Sequence, residues 1–128
     1  MRQGETSYRS QEQTYSFDFP YQCGTHCELP YDAVDNKHTV YDGDIVVMGS
    51  DGVFDNLFDS DIIACIKRHD PNLEHMADCI ATYAEIVSYD ESYESPYTVS
   101  ALKHGKPRDK NLGGKPDDMT VIVARVNL

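Results

Sequence analysis

The sequence predicts an α+β domain in which a pair of helices covers one face of an antiparallel sheet. Three observations carry that expectation. Ile45-Val46-Val47-Met48 is a continuous, mostly β-branched run, the composition of a strand covered on both faces. Two helical patterns follow it in succession. Met119-Thr120-Val121-Ile122-Val123-Ala124-Arg125-Val126 then closes the chain as a second β-rich run.

Each element has its own signal. Thr14-Tyr15-Ser16-Phe17-Asp18-Phe19 alternates polar with aromatic residues, the period of a half-buried strand, and Pro20 stops it. Residues 21–37 are rich in turn formers and acids and predict a surface connection. His38-Thr39-Val40-Tyr41 reads as a short strand, ended by a turn at Asp42-Gly43. The first helix is capped by Asp59 or Ser60, turns Ile62, Ile63 and Ile66 inward, and ends near Arg68. Asp70-Pro71 predicts the start of the second, with an acidic cap and proline at the first helical position. Leu73, Met76, Ala77, Ile80, Ala84 and Val87 recur at steps of three, four and seven, so one stripe faces a core. Residues 89–116 read as a long polar loop, a feature that in a compact domain is usually functional or mobile.

Composition narrows the function classes. The chain has 128 residues with 22 acidic against 11 basic side chains, a formal net charge of −11. That length suits one domain. No stretch approaches the ~18 consecutive apolar residues of a membrane span. The acidic balance disfavours nucleic acid or an anionic membrane as main partner, since both would repel such a surface. The polar N-terminus lacks the apolar core of a signal peptide. Cys65 and Cys79 fall inside helical patterns and read as small buried hydrophobes. Cys23 and Cys27 flank His26, but a structural zinc site needs a second ligand pair at matching spacing, and none is visible.

Two acidic clusters sit at the clearest strand boundaries. Asp51 follows Met48-Gly49-Ser50, and Asp117-Asp118 precede Met119. If the two strands are antiparallel neighbours, the end of one lies beside the start of the other, and the carboxylates meet at one sheet edge. Mg2+ and Mn2+ take oxygen ligands, often one or two protein carboxylates with several waters. Gly52 lets the backbone turn tightly and approach a ligand. By spacing alone an acidic turn and a loop end account for these acids more often than a metal site does.

The wording of the segments shifts that balance. Gly43-Asp44-Ile45-Val46-Val47-Met48-Gly49-Ser50-Asp51-Gly52-Val53-Phe54-Asp55-Asn56-Leu57, with Gly114-Lys115-Pro116-Asp117-Asp118-Met119-Thr120-Val121-Ile122-Val123, resembles the metal-dependent protein Ser/Thr phosphatases of type 2C (the PPM family). It is most similar to the mitochondrial branch. Ser10-Gln11-Glu12-Gln13, Ser95-Pro96-Tyr97 and Gly113-Gly114-Lys115-Pro116 extend the similarity over nearly the whole chain. The resemblance implies part of a four-layer α-β-β-α sandwich. It implies Asp51 and Asp117 as ligands of a binuclear Mg2+ or Mn2+ centre, with Asp118 orienting its neighbour or a coordinated water. Asp55 reads instead as a cap of the following turn. The implied reaction is hydrolysis of phosphoserine or phosphothreonine in a phosphoprotein by a metal-activated water. The implied setting is intracellular, mitochondrial first with cytoplasmic as the alternative.

The family's N-terminal half supplies an Asp-Gly motif that bridges both ions and an arginine that grips phosphate. Residues 1–40 show no equivalent. The chain therefore reads as the C-terminal portion of the catalytic domain, with unpaired sheet edges that invite self-association and little activity in isolation. The alternative is a catalytically incomplete module acting through interactions. A haloacid dehalogenase-like enzyme is excluded, because Gly49 stands where its nucleophilic aspartate would be. A calcium loop around Asp51, Asp55 and Asp59 lacks the alternate ligands and the central glycine.

Overall fold

The computed structural model describes residues 1–107 and 112–128. They form two units: Met1–Ser7 with Val40–Leu128, and Tyr8–Thr39.

In the smaller unit, β1 (Thr14–Ser16) pairs antiparallel with β2 (Phe19–Pro20). The aromatic alternation thus builds a hairpin rather than one strand. The chain reverses at Phe17-Asp18, where Asp18 takes φ 56, a left-handed conformation that aspartate tolerates better than most residues. Pro20 belongs to the second strand, opposite Thr14, and so does not act as the expected stop. Edge pairing accommodates it, since a two-stranded ribbon asks no ladder donor of its outer side. A single 3-10 turn follows at Pro30–Asp32.

The larger unit has the expected α+β plan. β3 (Ile45–Gly49) pairs antiparallel with β4 (Val121–Arg125), from Ile45 opposite Arg125 to Gly49 opposite Val121. A short helical turn, α1 (Asp51–Phe54), leaves the end of β3, and α2 (Asp59–His69) and α3 (Leu73–Ser88) follow. Val47, Val121 and Val123 pack from the sheet onto a core of Val53, Leu57, Ile62, Cys65, Ile80, Ala84 and Val87. This sheet-and-helix pair is one half of the four-layer arrangement that the resemblance implies.

Several expectations need correction. β3 is covered on one face only: Val46 and Met48 are 38% and 61% exposed, and Ile122 beside them on β4 is 55% exposed. A β-branched run records strand propensity, not how many faces are covered. Residues 38–41 form no strand. α3 begins after Pro71, with Asn72 as cap accepting from the His75 N–H. Neither Asp59 nor Ser60 caps α2: both lie inside the helix, Phe58 stands at the cap, and Asp61 accepts from the Phe58 N–H at 2.9 Å. The stretch 89–116 is not one loop. It contains α4 (Pro96–Lys103), capped by Ser95, whose hydroxyl accepts from the Thr98 N–H; its positions 108–111 lie outside the described residues. Cys65 and Cys79 are joined as a disulfide between α2 and α3, with Cα atoms 5.7 Å apart. Their facing positions depend on helix-hairpin register, which spacing alone does not give.

Candidate metal centre

The antiparallel register of β3 and β4 determines where the acids lie. Gly49 ends β3 opposite Val121, the first residue of β4. The Asp51-Gly52 turn therefore leaves the sheet at the edge where Asp117-Asp118 enters it. Ser50 stitches the two segments together at the front. Its N–H donates to the Thr120 carbonyl and its hydroxyl donates to the Asp118 carbonyl, while the same hydroxyl accepts from the Thr120 N–H.

Gly52 brings the segments into contact. A Cβ added there would stand 2.6 Å from the Asp118 carbonyl oxygen and 3.1 Å from Asp117 Cβ. Gly52 sits inside the helical turn, so left-handed freedom is not why glycine is required; the close approach of another backbone is. What approaches it is the chain itself.

Asp51, Asp117 and Asp118 are all exposed. One oxygen of Asp51 accepts from the Gly52 N–H at 2.9 Å, and one oxygen of Asp117 accepts from the Asp118 N–H at 2.8 Å. Each bond turns one carboxylate oxygen back to the adjoining backbone. Among the described residues no group of three His, Cys, Asp or Glu side chains is placed to hold one metal ion. The donor chemistry fits a hard divalent cation, and these acids supply only part of its shell, the remainder being open to water.

A buried network behind the acids escaped the sequence reading. Asn56 is fully buried. Its Nδ2 donates to the Gly52 and Lys115 carbonyls, both at 2.8 Å, and its Oδ1 accepts from the Lys115 N–H at 2.8 Å. Lys115 Nζ pairs with Asp55 at 2.8 Å and lies 4.6 Å from the centre of the Tyr97 ring. Asp55 thus closes α1 as its C-cap and holds Lys115. Further back, the Ser95 and Thr98 hydroxyls both donate to the Gly113 carbonyl, at 2.7 and 2.9 Å. Gly114 threads against the end of α3, where an added Cβ would stand 2.1 Å from the Val87 carbonyl. The signal for this network lay in Ser95-Pro96-Tyr97 and Gly113-Gly114-Lys115-Pro116, whose polar side chains answer to a backbone that only the fold brings near. Cys23 and Cys27 are exposed and unbridged in the smaller unit.

Comparison with known proteins bears on the same segments. No family model matches the chain. Protein phosphatase PTC7 homolog fig of Drosophila yakuba is 32% identical over 141 residues, covering 100% of this chain and 43% of that protein. Probable protein phosphatase 2C 26 of Arabidopsis thaliana is 37% identical over 136 residues, with 98% and 45% covered. The crystal structure of the photosystem II phosphatase PBCP superimposes with a TM-score of 0.91 at 34% identity, over 99% of this chain and 54% of that one. The chain is thus similar, from end to end, to type 2C protein phosphatases. It spans about half the length of the curated relatives it matches. The network around Asn56, Ser95 and Gly114 is what carries Asp117 to the edge where Asp51 stands.

Proposed function

We propose that the chain is the C-terminal portion of the catalytic domain of a metal-dependent protein Ser/Thr phosphatase, to which it contributes the carboxylates of Asp51 and Asp117. The observation that carries this reading is the packing of Asp51-Gly52 against Asp117-Asp118 at one sheet edge. Asp51 and Asp117 would hold Mg2+ or Mn2+, and Asp118 would orient Asp117 or a water beside it. A cation bound there would lower the pKa of a coordinated water and offset the charge of a phosphate ester. The chain's own residues set the stage for that chemistry. Backbone N–H bonds fix the two carboxylates, and the Ser50 and Asn56 contacts fix the segments that bear them. The substrate of the whole domain is a phosphoserine or phosphothreonine in a protein, and a mitochondrial setting belongs to the same reading.

A second reading is an interaction module derived from a phosphatase. It is favoured by the open apolar face of Val46, Met48 and Ile122, which offers a surface for self-association or a partner, and by the lack of a three-ligand cluster among the described residues. Mn2+-dependent hydrolysis of p-nitrophenyl phosphate and of a phosphothreonine peptide by the full catalytic domain, beside Mn2+ titration of the chain, separates the two. The phosphatase reading expects turnover by the full domain that Asp51→Asn and Asp117→Asn each abolish. A full domain that binds Mn2+ without turnover favours the module, and a chain that binds no Mn2+ sinks the metal reading.

A further inference from the structure

We propose that Asn56 is a positioning residue for the metal ligands: its side-chain amide sets the separation of Asp51 and Asp117 by tying the turn after one acid to the segment before the other. The proposal rests on the metal reading above. Asn56 touches neither acid. It lies on the far side of Gly52, five residues after Asp51, and bonds Lys115, two residues before Asp117. One Nδ2 donates at 2.8 Å to the carbonyls of both segments, Gly52 and Lys115, while Oδ1 takes the Lys115 N–H. The amide has thus used both its donors and an acceptor, on two backbones that no helix or strand ladder joins.

The site has two fastenings. Ser50 binds Asp118 and Thr120 on the solvent side, where water can replace a lost bond. Asn56 is fully buried, so removing it deprives the buried Gly52 carbonyl and the half-buried Lys115 carbonyl and N–H of their partner. Those groups regain partners only if the Lys115–Asp118 segment moves off Gly52. That movement carries Asp117 away from Asp51. Asparagine is the side chain that suits the task, since only an amide offers two donors and an acceptor from one short plane. Aspartate has the same shape and would turn a carboxylate oxygen on the two carbonyls.

Mn2+ titration of the whole chain, read from the loss of the free-ion electron paramagnetic resonance signal, tests this. The proteins are wild type, Asn56→Asp, Asn56→Ser, Asp51→Asn and Asp117→Asn. Circular dichroism establishes the folded fraction without metal, and affinities are scored on folded protein only. Amide hydrogen exchange at Asp118 and Thr120 is followed beside exchange at Ile80 in the core. The expected result is binding by wild type, loss in Asp51→Asn and Asp117→Asn, and at least tenfold weaker binding in the Asn56 variants. Their exchange should accelerate at Asp118 and Thr120 and stay unchanged at Ile80. Folded Asn56 variants that bind Mn2+ within twofold of wild type overturn the positioning role while leaving the metal reading intact. A wild type that binds no Mn2+ overturns both. Uniformly faster exchange, including Ile80, with affinity unchanged, reduces Asn56 to an ordinary stabilising residue.

Discussion

Gly52 and the Asp118 carbonyl lie so close that no side chain fits between them: an added Cβ would stand 2.6 Å from the oxygen. Backbone, not a flexible side-chain end, is the obstacle, so relief must come from moving the Asp117-Asp118 segment or the α1 turn. Gly52→Ala is therefore expected to lower stability by about 1–3 kcal/mol, the usual cost of overpacking. It should also displace Asp117 from Asp51 and weaken Mn2+ binding more than the loss of stability explains. Urea denaturation and Mn2+ titration of the variant check this. Unchanged stability together with unchanged affinity would show that the segments slide past each other freely.

What the sequence could tell was set by periodicity. The stripe of Met76, Ile80, Ala84 and Val87 is buried as expected, because a 3.6-residue repeat records its own facing side. The β3 and β4 runs were legible for a similar reason; the meeting of the acids was conditional on antiparallel pairing, which the register provides. Coverage of the sheet was not legible: Val46 and Met48 are apolar and exposed, and apolarity states a preference without stating what lies opposite. The role of Asn56 was not legible either. A buried amide is explained by the carbonyls it meets, and those of Lys115 are 59 positions away.

The Cys65–Cys79 disulfide closes the α2–α3 hairpin over a separation of 14 residues. Constraining an unfolded loop of that size contributes about 3 kcal/mol in the chain-entropy treatment. Cys65 also lies in the core beside Leu57 and Ile62, so α2 cannot shift without disturbing the residues that follow Asp51. Denaturant unfolding with and without a dithiol reductant should separate the two forms by roughly that amount, and Cys65→Ala with Cys79→Ala should match the reduced protein. Equal midpoints for oxidised and reduced chains would mean that the bridge adds nothing to the hairpin.

Asp44 anchors the start of β3 through its carboxylate. The Arg2 guanidinium donates Nε to one oxygen and Nη2 to the other, both at 2.8 Å, and the Tyr41 N–H adds a third bond. Those hydrogen bonds, the arginine's first, outweigh burial and hold the carboxyl well below the usual carboxylate range. A folded pKa below the unfolded one contributes stability that is complete above pH about 4 and drains away as pH falls beneath it. Urea midpoints of wild type and Arg2→Ala should differ by a constant amount from pH 5 to 8 and converge below pH about 4. In the Asp44→Asn background the arginine substitution should produce no such convergence. A gap independent of pH would remove the ion pair from the account of acid unfolding.

Ser95 carries more than the cap of a short helix. Its hydroxyl accepts from the Thr98 N–H at 3.1 Å and donates to the Gly113 carbonyl at 2.7 Å. Ser95→Ala removes a capping acceptor, worth about 1 kcal/mol, and half of the pair that satisfies a buried carbonyl, leaving Thr98 as the other donor. Thr98→Val removes the second half and keeps the shape. Each single change is expected to cost about 1–2 kcal/mol and the double change more than their sum, because only then does the Gly113 carbonyl lose both donors. The strand of chain from Gly113 to Lys115 should then loosen, and with it the approach of Asp117 to the sheet edge. A double-mutant cycle by urea unfolding, with hydrogen exchange at Gly114 and Lys115, reads both effects; strict additivity would mean that the two hydroxyls act on separate partners.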